Sequence, residues 1–448
     1  MFFRLLIFVV LLGVLVGCDV VEPSDVSVAD PVASVPESES PATTGGETVD
    51  TVADVGSRIP PGAEGLSPAM QEDLAELISE TEDIRGLPFE SLPTVELLNP
   101  EAFRQRVRAL VDEELGEVVA DEALYALLGL IPDDLDLRSA ILELYGDEVA
   151  GFYDGETGSL VVATRNQEFS EMERATLVHE LTHALTDQHL DFDTTNRELV
   201  DTKQFDAAAA YLTLIEGDAV NVEYDYVASL PQNRLDLYYE EIMAVDTAAW
   251  DDAPTYLRDA LSFPYIQGEV FVRDLLGTGG YQAVNDAYAA GNFSTEQVIR
   301  TRDFGRDLPK QVDVVDLTVP GYNEVTTSTW GELGFRLLLN QFLGEEVVAR
   351  AAEGWGGDTY RQLHDGGGEA LLLLEYRGDT NRDGAELAEA LAAYAADGLD
   401  TEDQGEEEGA TVFRGEDNLW IQRDGARVTL IVASSPSAFD RVISVVSE

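Results

Sequence analysis

The chain has 448 residues, of which 87 are acidic and 27 basic, so its formal net charge at pH 7 is −60. A surface with this charge repels phosphate backbones, which argues against nucleic acid as a partner. The hydrophobic fraction of 45% is that of a globular protein, and the length is sufficient for two or three domains.

The first residues have the pattern of a targeting segment. Arg4 supplies a positive charge, and the apolar run after it is too short to span a bilayer. The run ends in Leu-Val-Gly before Cys18, which resembles the bacterial lipobox, where the signal peptidase cuts before a cysteine whose thiol carries diacylglycerol. Cys18 is the only cysteine, so a disulfide within one chain is impossible. We expect a signal peptide at 1–17 and an extracytoplasmic protein anchored to the cell membrane through Cys18; the alternative is an ordinary signal peptide.

Residues 18–62 are predicted to form a disordered acidic tether. Proline, serine, threonine and acids dominate this stretch, and it contains no aromatic residue with which to build a core. As a flexible coil it would span about 35–40 Å. The rest of the chain divides into a predominantly helical part at 63–305 and a C-terminal α+β domain at 306–448.

In chain order, the first folded part has mainly helical periodicity. Its predicted elements are a helix from Ser67, a short strand at 94–98, an amphipathic helix at 100–119, a β-hairpin at 148–164, the motif-bearing helix described next, an alanine-rich helix from Phe205 to Ser229, and further helices to about Ala290. The predicted elements of the second part are helices around 330–344, a strand at 369–379, a helix at 384–398, a hairpin turning on Asp424-Gly425, and a final helix from Pro436.

The motif-bearing helix is predicted by a capping box. Ser170 and Glu173 form an S-x-x-E pair, which predicts a helix that begins near residue 171. On this helix His179 and His183 lie one turn apart with Glu180 beside them, and apolar side chains occupy the opposite arc. Zinc requires this geometry: two neutral imidazole nitrogens, and a carboxylate that takes a proton from the attacking water. Even with every acidic residue counted as glutamate, at most about 0.007 chance matches to H-E-x-x-H are expected in this chain.

A third protein ligand must come from elsewhere in the chain. His189 follows His183 at the wrong spacing for a metzincin. Glu216 lies 33 residues after His183, directly after an apolar run on the alanine-rich helix. A buried carboxylate there would be costly unless it bound a metal, so we favour Glu216 as the third ligand. Glu223 and Asp218 are the alternatives.

The sequence H-E-L-T-H, followed by E-G-D-A from residue 216, resembles the gluzincin metallopeptidases, the thermolysin-like and aminopeptidase N-like group. The resemblance extends over about residues 140–285. The stretch at 130–163 also resembles a set of bacterial H-E-L-T-H proteins of undefined substrate. It implies an α+β fold with a zincin-like catalytic domain at 63–305, in which S-L-V-V-A-T at 159–164 is the edge strand that holds an extended substrate. It further implies Zn²⁺ on His179, His183 and Glu216, with Glu180 as the general base.

A second correspondence is F-P-Y-I-Q-G from residue 263, which is similar to the P-Y-x-x-G segment of aminopeptidase N-like enzymes. It implies that Tyr265 stabilises the oxyanion; the alternative is a tyrosine that packs at a helix start. The sequence also departs from the thermolysin-like pattern. The acid expected four residues after the ligand glutamate is Val220 here, so we expect Asp187 or Asp218 to orient the imidazoles instead.

The sequence therefore predicts a membrane-anchored zinc peptidase that acts on a peptide or protein substrate. The alternative is a catalytically silent lipoprotein that keeps the zincin fold for binding or for envelope structure.

Three weaker sequence signals are interpreted as structural features. D-T-N-R-D-G at 379–384 lacks the last glutamate of a calcium loop and is expected to be a turn and helix cap; His364 and the acidic run at 405–409 are expected to lie in loops.

Overall fold

The computed structural model describes residues 58–115, 119–144, 151–163, 166–313, 318–407 and 409–446. These residues form an α+β structure with two separate sheets, which confirms the predicted α+β class; the zincin-like fold stays a prediction. The predicted signal peptide, Cys18 and most of the predicted tether lie outside the described residues. Within the described residues, no helix is both long enough and apolar enough to cross a membrane.

Helices dominate the residues up to 305, as predicted. They are α1 (Pro68–Arg85), α2 (Pro100–Leu115), α3 (Val119–Leu127), α4 (Leu137–Leu144), α5 (Glu171–Leu190), α6 (Phe192–Asp201), α7 (Phe205–Ser229), α8 (Gln232–Ile242), α9 (Ala248–Asp252), α10 (Thr255–Ala290) and α11 (Thr295–Ile299), with short 3-10 turns at Ala63–Gly65 and Thr301–Asp303. A kink at Gly280, where φ is 62°, divides α10 in two.

A three-stranded sheet lies beside the motif-bearing helix α5. It consists of β1 (Thr94–Leu98), β2 (Gly151–Asp154) and β3 (Ser159–Ala163) in the order β1-β3-β2. β3 pairs in parallel with β1 and antiparallel with β2, so it is the central strand, and its prediction as the edge strand is wrong. The hairpin pattern predicted that β2 pairs with β3. It contained no information on the pairing of β3 with β1, which lies about 60 residues earlier in the chain. Among the described strands, β2 is the edge next to α5.

Close packing of α7 and α10 fixes the position of the site. At their crossing, a Cβ atom added to Gly217 would lie 2.2 Å from the carbonyl oxygen of Gly268, so only glycine allows the two backbones this approach. The motif-bearing helix packs against α7, α1 and the small sheet. As a result, every residue of α5 from Ala175 to Thr186 is buried, including the arc that carries the polar side chains.

The C-terminal part is built on a seven-stranded antiparallel sheet in the order β4-β5-β6-β10-β9-β8-β7. Its elements are β4 (Asn323–Ser328), α12 (Gly331–Leu339), α13 (Glu345–Ala352), β5 (Trp355–His364), β6 (Ala370–Gly378), α14 (Asn381–Gly398), β7 (Thr401–Glu407), β8 (Ala410–Gly415), β9 (Asn418–Asp424), β10 (Arg427–Ala433) and α15 (Pro436–Val446).

Two loop predictions in this part are wrong. His364 is the last residue of β5, and residues 405–407 of the acidic run belong to the exposed edge strand β7. The unfavourable strand propensity of acidic residues is small compared with the stabilisation from the hydrogen bonds that β7 makes with β8.

The two parts of the chain pack against each other. Side chains on both sides of residue 305 share the largest hydrophobic cluster, and the Tyr394 hydroxyl donates a hydrogen bond to the carbonyl of Leu128.

Candidate metal centre

The capping box predicted from the sequence sets the start of α5. The Ser170 hydroxyl accepts a hydrogen bond from the Glu173 amide, and the Glu173 carboxylate accepts one from the Ser170 amide, so the helix begins at Glu171 as predicted. His179 and His183 then lie on one face of α5, with ring centroids 4.7 Å apart. Both imidazoles are fully buried.

Helix α7 brings Glu216 to these two histidines. Its Oε2 atom lies 3.2 Å from Nε2 of His179 and 3.5 Å from Nε2 of His183. The donor atoms of the three side chains all lie within 4.8 Å of one another, and Glu216 is fully buried. The structure therefore brings together the three residues that the sequence predicted as ligands.

The spacing of these atoms fits a tetrahedral zinc site. Zinc bonds of about 2.0–2.1 Å at tetrahedral angles place neighbouring ligand atoms about 3.3 Å apart, and the two distances to Glu216 lie close to this value. Among the described residues, Nε2 of His183 and Oε1 of Glu216 also have no hydrogen-bond partner. Buried polar atoms without partners are costly, so the donor set fits a cation that would satisfy these atoms.

The pKa values of the two histidines are shifted in opposite directions. Burial lowers the pKa of His179, but hydrogen bonds with Glu216 and Glu223 outweigh it and raise the pKa above the usual value. Burial lowers the pKa of His183, and the attraction of Glu216 does not compensate for it. These two directions favour a proton on His179 rather than on His183, and a cation at the three donor side chains would have to displace it.

Glu180 is held in place by the small sheet. The backbone N–H of Tyr153, on β2, donates a 2.7 Å hydrogen bond to Oε2 of Glu180, whereas Oε1 has no partner among the described residues. The Tyr153 hydroxyl donates to Asp187, which lies two turns further along α5. Burial raises the pKa of Glu180 to about 8, although the nearby His179 lowers it. One carboxylate oxygen is therefore fixed, and the other is left for chemistry.

The two rival acids have other partners. Glu223 lies 3.1 Å from Nδ1 of His179, on the side of the ring opposite Glu216. Asp218 contacts neither histidine and instead pairs with Arg85, with its carboxylate oxygens 2.9 and 3.0 Å from the guanidinium Nε. The expectation that Asp187 or Asp218 orients an imidazole by a hydrogen bond is therefore wrong, because Glu223 makes that contact.

Tyr265 lies beside the site. Its ring stacks on His179 with centroids 6.2 Å apart and an angle of 30° between the planes, and its side chain is buried. The alternative interpretation, a tyrosine that packs at a helix start, is wrong about the helix start, because α10 begins ten residues earlier, at Thr255, and continues through Pro264. Its predicted role at the oxyanion stays a prediction.

Sequence reasoning missed Tyr153 and Arg85 at this site. A backbone donor on β2 leaves no trace in residue identity, and Arg85 reaches Asp218 from 133 positions away. The role of Glu223 did have a sequence signal. It follows Glu216 by seven residues, which is close to two helical turns, so both carboxylates lie on one face of α7.

A second group of acids lies away from this centre. Glu296, Asp307 and Asp379 are close enough to hold a cation, but Arg300 pairs with Glu296 and Lys310 with Asp379. The former calcium-loop candidate forms a helix start, as predicted, where Thr380 and Asp383 make a capping box for α14.

Comparison with known proteins adds one finding. A family model described as a domain of unknown function (DUF8575) matches residues 317–443. The matched stretch contains the strands of the C-terminal sheet and none of the residues of the candidate metal centre. None of the curated proteins and none of the solved structures matches the chain.

Proposed function

We propose that this protein is a zinc-dependent peptidase of the gluzincin type, and that α5, α7 and the small sheet belong to a zincin-like domain. The observation that carries the proposal is the convergence of three buried donor side chains, His179, His183 and Glu216, at spacings that fit tetrahedral zinc. The adjacent Glu180, with one oxygen fixed and the other without a partner, supports hydrolysis over metal storage.

The chain's own residues have separable roles in this proposal. Zinc, when bound, would polarise the scissile carbonyl and lower the pKa of water, so that a nucleophile is present near neutral pH. The positive charge of a bound cation would lower the pKa of Glu180, so that Oε1 could accept the proton of the attacking water and deliver it to the leaving amine. The Tyr153 amide holds the other oxygen of Glu180 in place. Tyr265, stacked on His179, would donate a hydrogen bond to the developing oxyanion.

One observation favours a second candidate function. The side chains of His179, Glu180, His183 and Glu216 have no exposed surface, so a peptide reaches them only after the surrounding elements move apart. A metal held where no substrate reaches it would contribute to the stability of the fold alone. The second candidate is therefore a catalytically silent protein of zincin fold, in which the metal stabilises the structure and the protein has a binding or envelope role.

Metal analysis of three variants tests the proposal. We expect about one zinc per full-length chain by elemental mass spectrometry, and a loss of most of it in Glu216→Ala. Asp225→Asn, an exposed change on the same helix, should keep the metal. Glu180→Gln should also keep the metal and lower the cleavage of unfolded casein by about 10²–10⁴-fold.

The possible outcomes separate the two candidates. Zinc that persists in Glu216→Ala would assign the third ligand elsewhere, and a wild-type chain that takes up no zinc would refute the metal centre. Zinc bound at full occupancy with no cleavage by the wild-type chain would favour the silent protein.

We also propose that the chain is a lipoprotein, anchored outside the cytoplasm through the thiol of Cys18, the only cysteine of the chain. Radiolabelled fatty acid should enter the wild-type chain and not Cys18→Ser. Equal labelling of both chains, or no labelling of either, would refute the anchor.

A further inference from the structure

We infer that Glu223 is the positioning residue of the metal centre, which holds His179 by its Nδ1 atom so that Nε2 faces the other two ligands. The inference rests on the proposed zinc site and assigns to Glu223 a role different from that of a rival ligand. The contact that carries it is the 3.1 Å hydrogen bond between Nδ1 of His179 and Oε2 of Glu223.

The two carboxylates of α7 hold the imidazole of His179 from opposite ends. Glu216 and Glu223 are seven residues apart, so they project from the same face of the helix with a rise of about 10.5 Å between them. Glu216 contacts Nε2 at 3.2 Å and Glu223 contacts Nδ1 at 3.1 Å. Because the two nitrogens point away from each other, one cation cannot bind Nε2 of His179 and also the carboxylate of Glu223.

Glu223 is a buried carboxylate that depends on His179 for its hydrogen bond. Its side chain is only 3% exposed, and among the described residues no arginine or lysine forms an ion pair with it; its hydrogen-bond partner there is His179. A buried carboxylate without compensation is strongly unfavourable. The N–H of His179 is therefore the group that satisfies Glu223, and the bond fixes the imidazole as the Nδ1–H tautomer with its lone pair on Nε2.

His183 provides the contrast within the same site. Neither of its ring nitrogens has a hydrogen-bond partner among the described residues, so no side chain there selects its tautomer. The site is therefore asymmetric, with one histidine oriented by the protein and the other oriented by packing, including an edge contact with Phe192. Loss of Glu223 should disorder the ligand that has support and leave His183 as it is.

The test measures zinc affinity and imidazole tautomers in the full chain. We expect Glu223→Ala to weaken zinc binding 10- to 100-fold in competition with a chromogenic chelator, the range typical of such supporting carboxylates. Glu223→Gln keeps an acceptor for the N–H and should lose less affinity than the alanine variant. Asp225→Asn removes the same charge from the exposed face of the same helix and should bind zinc as the wild-type chain does.

Nitrogen-15 NMR of the imidazoles reports the tautomer of His179 directly, which a general loss of stability would not change selectively. The chain has only four histidines, so their signals can be assigned. In the zinc-loaded wild-type chain both ligand imidazoles carry an Nδ1–H proton, and that of His179, which is hydrogen-bonded to Glu223, should exchange more slowly than that of His183. This slow exchange should be lost in Glu223→Ala and kept in Glu223→Gln. If Glu223→Ala does not fold, Glu223→Leu, which keeps the volume, replaces it in both measurements.

The outcomes distinguish this inference from the proposed function. Wild-type affinity and an unchanged slow exchange in the alanine or leucine variant would overturn the positioning role and leave the zinc site intact. A wild-type chain that binds no zinc would overturn both. A variant that loses zinc and keeps the slow Nδ1–H exchange would also contradict the inference, because the carboxylate would then act as a ligand.

Discussion

The buried ion pair between Arg85 and Asp218 provides the most direct test of how the site is held together. The guanidinium Nε lies 2.9 and 3.0 Å from the two carboxylate oxygens, and the side chains are 0% and 1% exposed. The same guanidinium donates to Asn285 at 2.6 Å and lies 4.4 Å from the ring centroid of Tyr281. Arg85 therefore ties α1 to α7 and to the second segment of α10, beside the ligand helix.

Replacement of Arg85 by methionine keeps most of the apolar stem and removes the charge. The carboxylate of Asp218 then stays buried without its partner, which costs about 3–5 kcal/mol, and the loss of the contact with Tyr281 adds about 1 kcal/mol. We expect the free energy of unfolding to fall by about 4–6 kcal/mol. That loss is large compared with the roughly 5–15 kcal/mol that stabilises a folded domain.

Denaturant unfolding followed by far-ultraviolet circular dichroism, without added metal and at a fixed pH near 7, would measure this loss. The matched control is the double variant Arg85→Met with Asp218→Asn, which removes both charges and should recover at least half of the lost free energy. A loss below 1 kcal/mol in Arg85→Met, or a double variant as unstable as the sum of the single variants, would refute the reasoning.

Two further predictions concern packing and pH. Gly217→Ala forces a methyl group against the backbone of α10 and should lower the melting temperature, whereas Gly277→Ala, with open space around it, should not; equal melting temperatures would contradict this packing. Burial raises the pKa of Asp206 to about 7, so its folded form keeps a proton that the unfolded chain loses near pH 4. This contribution to stability is complete below pH 4 and is lost as pH rises through 7. Asp206→Asn should flatten the fall in unfolding free energy between pH 5 and 7, by up to about 1.4 kcal/mol per pH unit; an unchanged slope would contradict the buried, protonated state.

The sequence by itself determined the features that depend on near neighbours. The Ser170–Glu173 capping box and the helix it begins follow from interactions three residues apart. The shared face of His179 and His183 follows from the helical repeat. The hairpin follows from its Asp-Gly signal, although its two turn residues are Gly425 and Ala426, one position later than predicted. The bounds of α7 were also predicted, because its alanine-rich run favours a helix in any context.

Only the tertiary structure decided which acid does what. Glu216, Asp218 and Glu223 lie on the same helix and are chemically alike. The approach of α5 and α1 gives them different partners: the Nε2 atoms of the two histidines for Glu216, Arg85 for Asp218 and Nδ1 of His179 for Glu223. The central position of β3 depends in the same way on a distant strand. Contacts between residues tens or hundreds of positions apart are set by how whole elements pack, and local patterns of polarity contain no information about that packing.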